Sequence, residues 1–182
     1  MEKMYKKISC QIINISVLLL VYLIGGCARS PRNVPASVHQ IPTGYQVKMA
    51  EFTIVFPNDW EGSIAPGINQ TDGYLARQEI HAFNQKLSVK LRYYSEKYGW
   101  ASYKRWVDDY QNIYKYRNCI VNRSKIDRYE YTKFVCNENH NISFTILVDC
   151  QGSTLVVNGT ASSEQDISYF IKMLSNINIK RD

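Results

Sequence analysis

The sequence predicts an α+β domain, a mostly antiparallel sheet with helices packed on it. Apolar residues alternate with period two in several short stretches, among them Phe52, Ile54 and Phe56; Leu87, Val89, Leu91 and Tyr93; and Ile142, Phe144, Ile146 and Val148. That period marks strands with one buried face. Successive stretches are divided by a few turn-forming residues, as at Asn84-Gln85, Asp127-Arg128, Asn137–His140 and Gln151-Gly152. Connections this short join antiparallel neighbours. Two other stretches, Tyr103 to Tyr114 and Ile167 to Leu174, repeat their apolar residues at helical spacing.

The chain opens with Lys3, Lys6 and Lys7, an apolar run of about 13 residues from Ile12 to Ile24, and then Gly25-Gly26-Cys27. A basic segment, a short apolar segment and small residues before a cleavage point make a secretory signal. A membrane span needs ~20 apolar residues, and Asn14 and Ser16 interrupt this run. A cysteine directly behind small residues resembles the lipobox of bacterial lipoproteins. The resemblance implies that residues 1–26 are a signal peptide cut before Cys27, with the Cys27 thiol diacylated and the new amino terminus acylated, commonly with palmitate. Each buried methylene contributes ~0.8 kcal/mol to membrane attachment, so two or three chains hold firmly. Ala28 follows the cysteine, where inner-membrane lipoproteins of that family carry aspartate. The expected location is the outer membrane, facing the periplasm.

Residues 27–44 contain Pro31, Pro35 and Pro42 and show no apolar periodicity. They are expected to form a flexible tether spanning up to ~50 Å at ~3.1 Å per residue. Residues 45–182 are expected to fold as one globular domain. The mature chain, at about 155 residues, is long enough to bury ~70% of its unfolded surface without a metal or disulfide. The leader's Lys3, Lys6, Lys7 and Glu2 account for +2 of the formal +6, leaving the mature chain at +4. No basic run is present, so nucleic acid is not an expected partner.

The domain begins with the Phe52–Phe56 strand, stopped by Pro57-Asn58-Asp59 ahead of Trp60. Residues from Glu61 to Asp72, rich in Gly, Pro, Asn and Ser, read as a loop. Strands follow over Tyr74–Phe83 and Leu87–Tyr93. A helix is expected from Trp100 to Arg117, with Tyr103, Trp106, Val107, Tyr110, Ile113 and Tyr114 on the face that packs on the sheet. A meander comes next: Ile120–Lys125, Tyr129–Cys136, Ile142–Val148 and the return through Leu155–Val157. A last helix starts at Ser163, with Asp166 at capping-box distance. Asn176 is expected to end it in a left-handed conformation, before a short strand at Ile177–Ile179.

With Cys27 taken by lipid, Cys119, Cys136 and Cys150 remain in an oxidising compartment. A two-residue turn at Asp127-Arg128 makes Ile126 face Tyr129, Phe134 face Val121 and Cys119 face Cys136, within disulfide reach. The Asn137–His140 turn puts Cys150 near Asp127. The expected bond is therefore Cys119–Cys136, with Cys150 free and core-facing; Cys119–Cys150 is the alternative.

The order of elements resembles the PsbP-like fold, an α/β/α sandwich, in particular its DcrB-type bacterial lipoproteins. Phe52-Thr-Ile-Val-Phe-Pro-Asn-Asp-Trp60, the Trp100–Arg117 helix and Phe170-Ile-Lys-Met-Leu-Ser-Asn-Ile177 carry the resemblance. It implies protein binding without chemistry and supplies no catalytic residue.

The residues agree with that absence of chemistry. No Gly-x-Ser-x-Gly elbow, His-Glu-x-x-His pair or phosphate-binding glycine loop occurs. Cys136, His140 and Cys150 match no standard zinc spacing, and no metal or other cofactor is expected. The expected function is a non-catalytic, lipid-anchored envelope protein that docks another envelope protein, with Trp60 and Trp100 as candidate interface residues. The alternative is a small-ligand or glycan-binding lipoprotein, suggested by the 14 tyrosines. An enzyme is the least favoured class.

Overall fold

The computed structural model describes residues 37–49, 52–66, 78–95, 102–115, 117–138 and 141–179. Residues 1–26, expected to be a signal peptide, and Cys27, Trp100 and His140 lie outside them. All the described elements belong to one compact unit, Val34–Asp182.

The chain runs β1 (Ser37–Ile41), β2 (Gly44–Lys48), β3 (Phe52–Pro57), β4 (Glu61–Pro66), β5 (Gln78–Phe83), β6 (Leu87–Ser95), α1 (Tyr103–Tyr114), β7 (Ile120–Ile126), β8 (Tyr129–Glu138), β9 (Asn141–Asp149), β10 (Ser153–Ala161), α2 (Glu164–Leu174) and β11 (Asn178–Ile179). The strands form a four-stranded sheet, β1-β2-β3-β11, and a seven-stranded sheet, β4-β5-β6-β10-β9-β8-β7. Every pairing is antiparallel. The fold class is therefore α+β, as the period-two stretches and short turns require.

Strand alternation divides the large sheet into two packed faces. Leu87, Val89, Leu91 and Tyr93 of β6 share one core with Phe144, Ile146 and Val148 of β9, Leu155 and Val157 of β10, the small sheet and α2. The opposite face sends Tyr94, Phe134, Leu147 and Val156 against Trp106 and Val107 of α1. A helix thus covers one face, and a small sheet with a second helix covers the other. Gly159 of β10 is confined between layers: a Cβ there would lie 2.6 Å from the Ser88 carbonyl oxygen and 2.7 Å from the Phe144 ring.

Both helices start at serines. The Ser163 hydroxyl accepts from the Asp166 N–H at 3.2 Å and donates to the Asp166 carboxylate at 2.6 Å. Ser102 caps α1 by accepting from the Arg105 N–H. Tyr103 and Tyr114 lay their rings toward the core and bond through their hydroxyls to Thr132 at 2.7 Å and Thr145 at 2.8 Å. This joins an apolar body to a satisfied polar tip.

Several expectations are corrected. Ser37–Ile41, assigned to the tether, pairs with β2 from Ser37↔Lys48 to Ile41↔Gly44. The pairing partner lies across a Pro42-Thr43 turn, so the strand needs little apolar periodicity of its own. Glu61–Pro66 is an edge strand rather than a loop. Its Gly, Ser and Pro are tolerated because an edge needs pairing on one side only. Ile113 is 55% exposed; it falls ~80° from the centre of the α1 stripe at ~100° per residue. Asn176 does not adopt positive φ, and α2 ends at Ser175 in right-handed geometry. The β8–β9 register runs to Glu138↔Asn141, a connection two residues shorter than Asn137–His140. Cys150 is accordingly shifted two residues along β8 from the position expected beside Asp127.

Candidate functional site

The Cys119–Cys136 disulfide is present, with Cα atoms 4.3 Å apart. Its register follows from β7–β8, where Ile126 faces Tyr129 and Val121 faces Phe134. Asp127 takes φ 52°, the left-handed geometry a two-residue hairpin turn needs. Cys150 is free and buried. Removal of the thiolate from water raises its pKa to about 12, with the Leu155 backbone bond opposing and Asp149 reinforcing the rise. Cys136 is oxidised and cannot supply a zinc thiolate. Among the described residues, no group of three or more His, Cys, Asp or Glu side chains is placed to hold a metal ion.

Trp60 is not an interface residue on this surface: it is 3% exposed. The turn after β3 returns the Trp60 N–H to the Pro57 carbonyl at 3.1 Å. Its ring then sits 5.4 Å from Phe56 and 5.9 Å from Phe170. Burial of so large an apolar ring outweighs its use as a surface anchor.

Exposed apolar surface lies instead on β7, at one end of the large sheet. Ile120 is 53% and Val121 41% exposed, and Asn122 to Lys125 are exposed as well. Pairing with β8 uses one edge of β7, and among the described residues no strand pairs with the other edge. Beside it, Tyr103, Lys104, Val107, Arg123, Lys125 and Glu130 help line a groove of about 410 Å³. Lys125 and Glu130 are 3.4 Å apart on adjacent strands and largely exposed. Burial raises the Tyr103 pKa, against the lowering effect of its Thr132 bond and the Arg123 charge.

A separate charge cluster occupies β5 and β6. The Glu79 carboxylate engages His81 and Arg92, with the Lys90 ammonium 3.5 Å away. Burial of the carboxyl opposes its ionisation, but the Arg92 and His81 hydrogen bonds and the Arg92 and Lys90 charges hold its pKa below the ordinary value. Arg92 is likewise desolvated, yet its pKa is raised by Glu79. With its carboxylate committed to cations, Glu79 is poorly suited to general-base work.

At the end of the large sheet away from β7, next to this cluster, a cavity of about 340 Å³ opens between β1–β2 and β4–β5. Val38, Val47, Phe56, Trp60, Ile64 and Ile80 supply its apolar wall, and Glu61, Ser63 and His81 its polar part. The Trp60 Nε1 is buried and has no hydrogen-bond partner among the described residues. The sequence signal for this site was Trp60 itself, but periodicity does not reveal where a ring's polar edge points.

No family model matches the chain, and no curated protein matches it. Among solved structures it is similar to a protein of Bacteroides thetaiotaomicron, at 10% identity and TM-score 0.47, over 73% of this chain and 46% of that one. It is also similar to cyanobacterial PsbP of Synechocystis, at 8% identity and TM-score 0.45, over 85% and 97% of the two chains. A Pseudomonas aeruginosa protein aligns at 10% identity and TM-score 0.33, over 81% and 98%. The chain spans less than half the length of the Bacteroides protein.

Proposed function

We propose that the chain is a non-catalytic lipoprotein of the bacterial envelope, moored through Cys27 and docking another envelope protein along the β7 edge. The outer membrane, facing the periplasm, is its proposed site. The observation that carries the docking role is the exposure of Ile120 and Val121 on a strand whose second edge pairs with no other strand among the described residues. Such an edge accepts an extended segment as an added strand, with main-chain bonds supplying affinity and side chains selectivity. Arg123 and Lys125, both exposed, favour a segment with acidic residues opposite them. Natural edges also carry basic residues to prevent self-association, so the experiment must separate docking from protection.

A photo-crosslinking residue at Val121 in intact cells should capture one discrete partner, and Arg123→Glu should abolish the adduct. Adducts insensitive to Arg123→Glu, or none at all, would refute the docking role. For the anchor, the mature mass should equal a chain beginning at Cys27 plus its acyl groups, and Cys27→Ser should block processing. An unmodified thiol on the mature protein would refute the anchor.

A second reading, small-ligand binding, is favoured by the cavity beside Trp60. Its volume, about 340 Å³, falls within the ~300–1,000 Å³ of small-molecule sites, and apolar side chains dominate its wall.

A further inference from the structure

We infer that the segment docked on β7 carries a carboxylate directly opposite Arg123 and an apolar side chain two residues away, opposite Val121: an acid-x-apolar strand of another protein. The inference rests on the β7 docking reading and names what the partner presents.

The main chain sets the register. The Asp127-Arg128 turn closes on Ile126 and Tyr129, so that pair exchanges main-chain hydrogen bonds and the next pair, Lys125 and Glu130, does not. The alternation continues along the ladder. The N–H and C=O groups of Val121, Arg123 and Lys125 therefore turn away from β8, towards the edge where no described strand pairs. The same three side chains share a face. Val121 stands opposite Phe134, whose ring packs against Tyr110 and Tyr114, so that face is the α1 side. An incoming strand bonded to these three residues sets its own alternate side chains directly opposite theirs.

Charge selects the residue opposite Arg123. Lys125 is already met by Glu130 at 3.4 Å. Lys104 and Asp108, one turn apart on α1, line the groove beside β7 and offset each other. Arg123 lines the same groove and has no carboxylate partner among the described residues. A carboxylate on the incoming strand would meet its planar fork of donors. Val121 is 41% exposed, and an apolar residue opposite would cover it. A second copy of this chain fits poorly. Pairing the whole of Ile120–Ile126 with itself in antiparallel sets Arg123 against Arg123.

The test uses the nitrogen-labelled full chain in detergent micelles and the capped peptide Thr-Val-Thr-Glu-Thr-Val-Thr, whose Glu and Val side chains share one face in either strand direction. Binding should slow amide exchange at Val121, Arg123 and Lys125. Asn122 and Ser124, whose N–H groups already face β8, should not change. Replacing the peptide's Glu by Gln should weaken binding about tenfold. Arg123→Glu should lose the Glu peptide and gain a Lys peptide, a reversal that destabilisation alone would not give. Val121→Pro, at an N–H bonded to no described strand, should abolish binding with the spectrum still folded. If Glu, Gln and Lys peptides bind alike and protect the alternate amides, the added strand stands and the acidic rule fails. If no peptide binds while cells still give the Arg123-dependent adduct at Val121, the acid-x-apolar rule fails and docking survives. Neither binding nor adduct removes both. Protection that grows with protein concentration alone would assign the edge to a second copy and overturn the inference.

Discussion

Arg92 on β6 stands directly opposite Glu79 on β5, and its guanidinium Nε–H donates to the Glu79 carboxylate. Their side chains are 15% and 13% exposed. A cross-strand ion pair this sheltered differs from a solvated surface pair, because either partner left alone would be an uncompensated charge.

Glu79→Gln should therefore destabilise the domain by ~1–3 kcal/mol, read as a lower urea midpoint. The folded Glu79 pKa lies below its ordinary value of 4.5. Its contribution is then complete above the unfolded pKa and disappears as pH falls through the folded pKa. Wild type and Glu79→Gln should converge in stability on acidification below about pH 4. A gap that stays constant through this window would show that Glu79 does not act as a charge.

Opening the Cys119–Cys136 bond should cost ~3 kcal/mol on the chain-entropy model, given its separation of 17 residues. Cys119→Ser/Cys136→Ser should lower the melting temperature, and reductant should bring the wild type to the same value. Peptide mapping should recover Cys119 joined to Cys136; a Cys119–Cys150 peptide would contradict the β7–β8–β9 register.

Cys150 should resist thiol reagents in the native protein at pH 8 and react rapidly in denaturant. Its folded pKa of about 12 exceeds its ordinary value of 9.0. The unfolded chain therefore loses this proton first as pH rises. The thiol's contribution is full below about pH 9 and falls away towards pH 12. Cys150→Ser should remove that alkaline loss; an unchanged slope above pH 9 would assign it to other groups.

Gly159→Ala should destabilise by ~1–3 kcal/mol, because the added methyl would meet the Ser88 carbonyl and the Phe144 ring. The replacement otherwise favours a strand. A neutral or higher melting temperature would show that the layers separate freely at this point.

Local pattern made much of the fold legible. Alternation in Phe52–Phe56, Leu87–Tyr93 and Ile142–Val148 placed strands with their buried faces, and Ser163 placed the start of α2. The Asp127-Arg128 turn was enough to pair Cys119 with Cys136, because a two-residue hairpin sets register by counting. The edge strands β1 and β4 escaped detection because their order depends on pairing with β2 and β5 rather than on an apolar repeat.

The candidate sites were less legible. Ile120 and Val121 read as ordinary strand residues; only the strand order showed that β7 ends the sheet. Trp60 read as a surface candidate, and only the convergence of Phe56, Phe170 and the β4–β5 wall put it inside. Periodicity is a property of neighbouring residues, so the sequence alone determined the element types, most boundaries and the disulfide. Edges, cavities and the fate of one indole N–H depend on residues distant in the chain, and tertiary packing decided them.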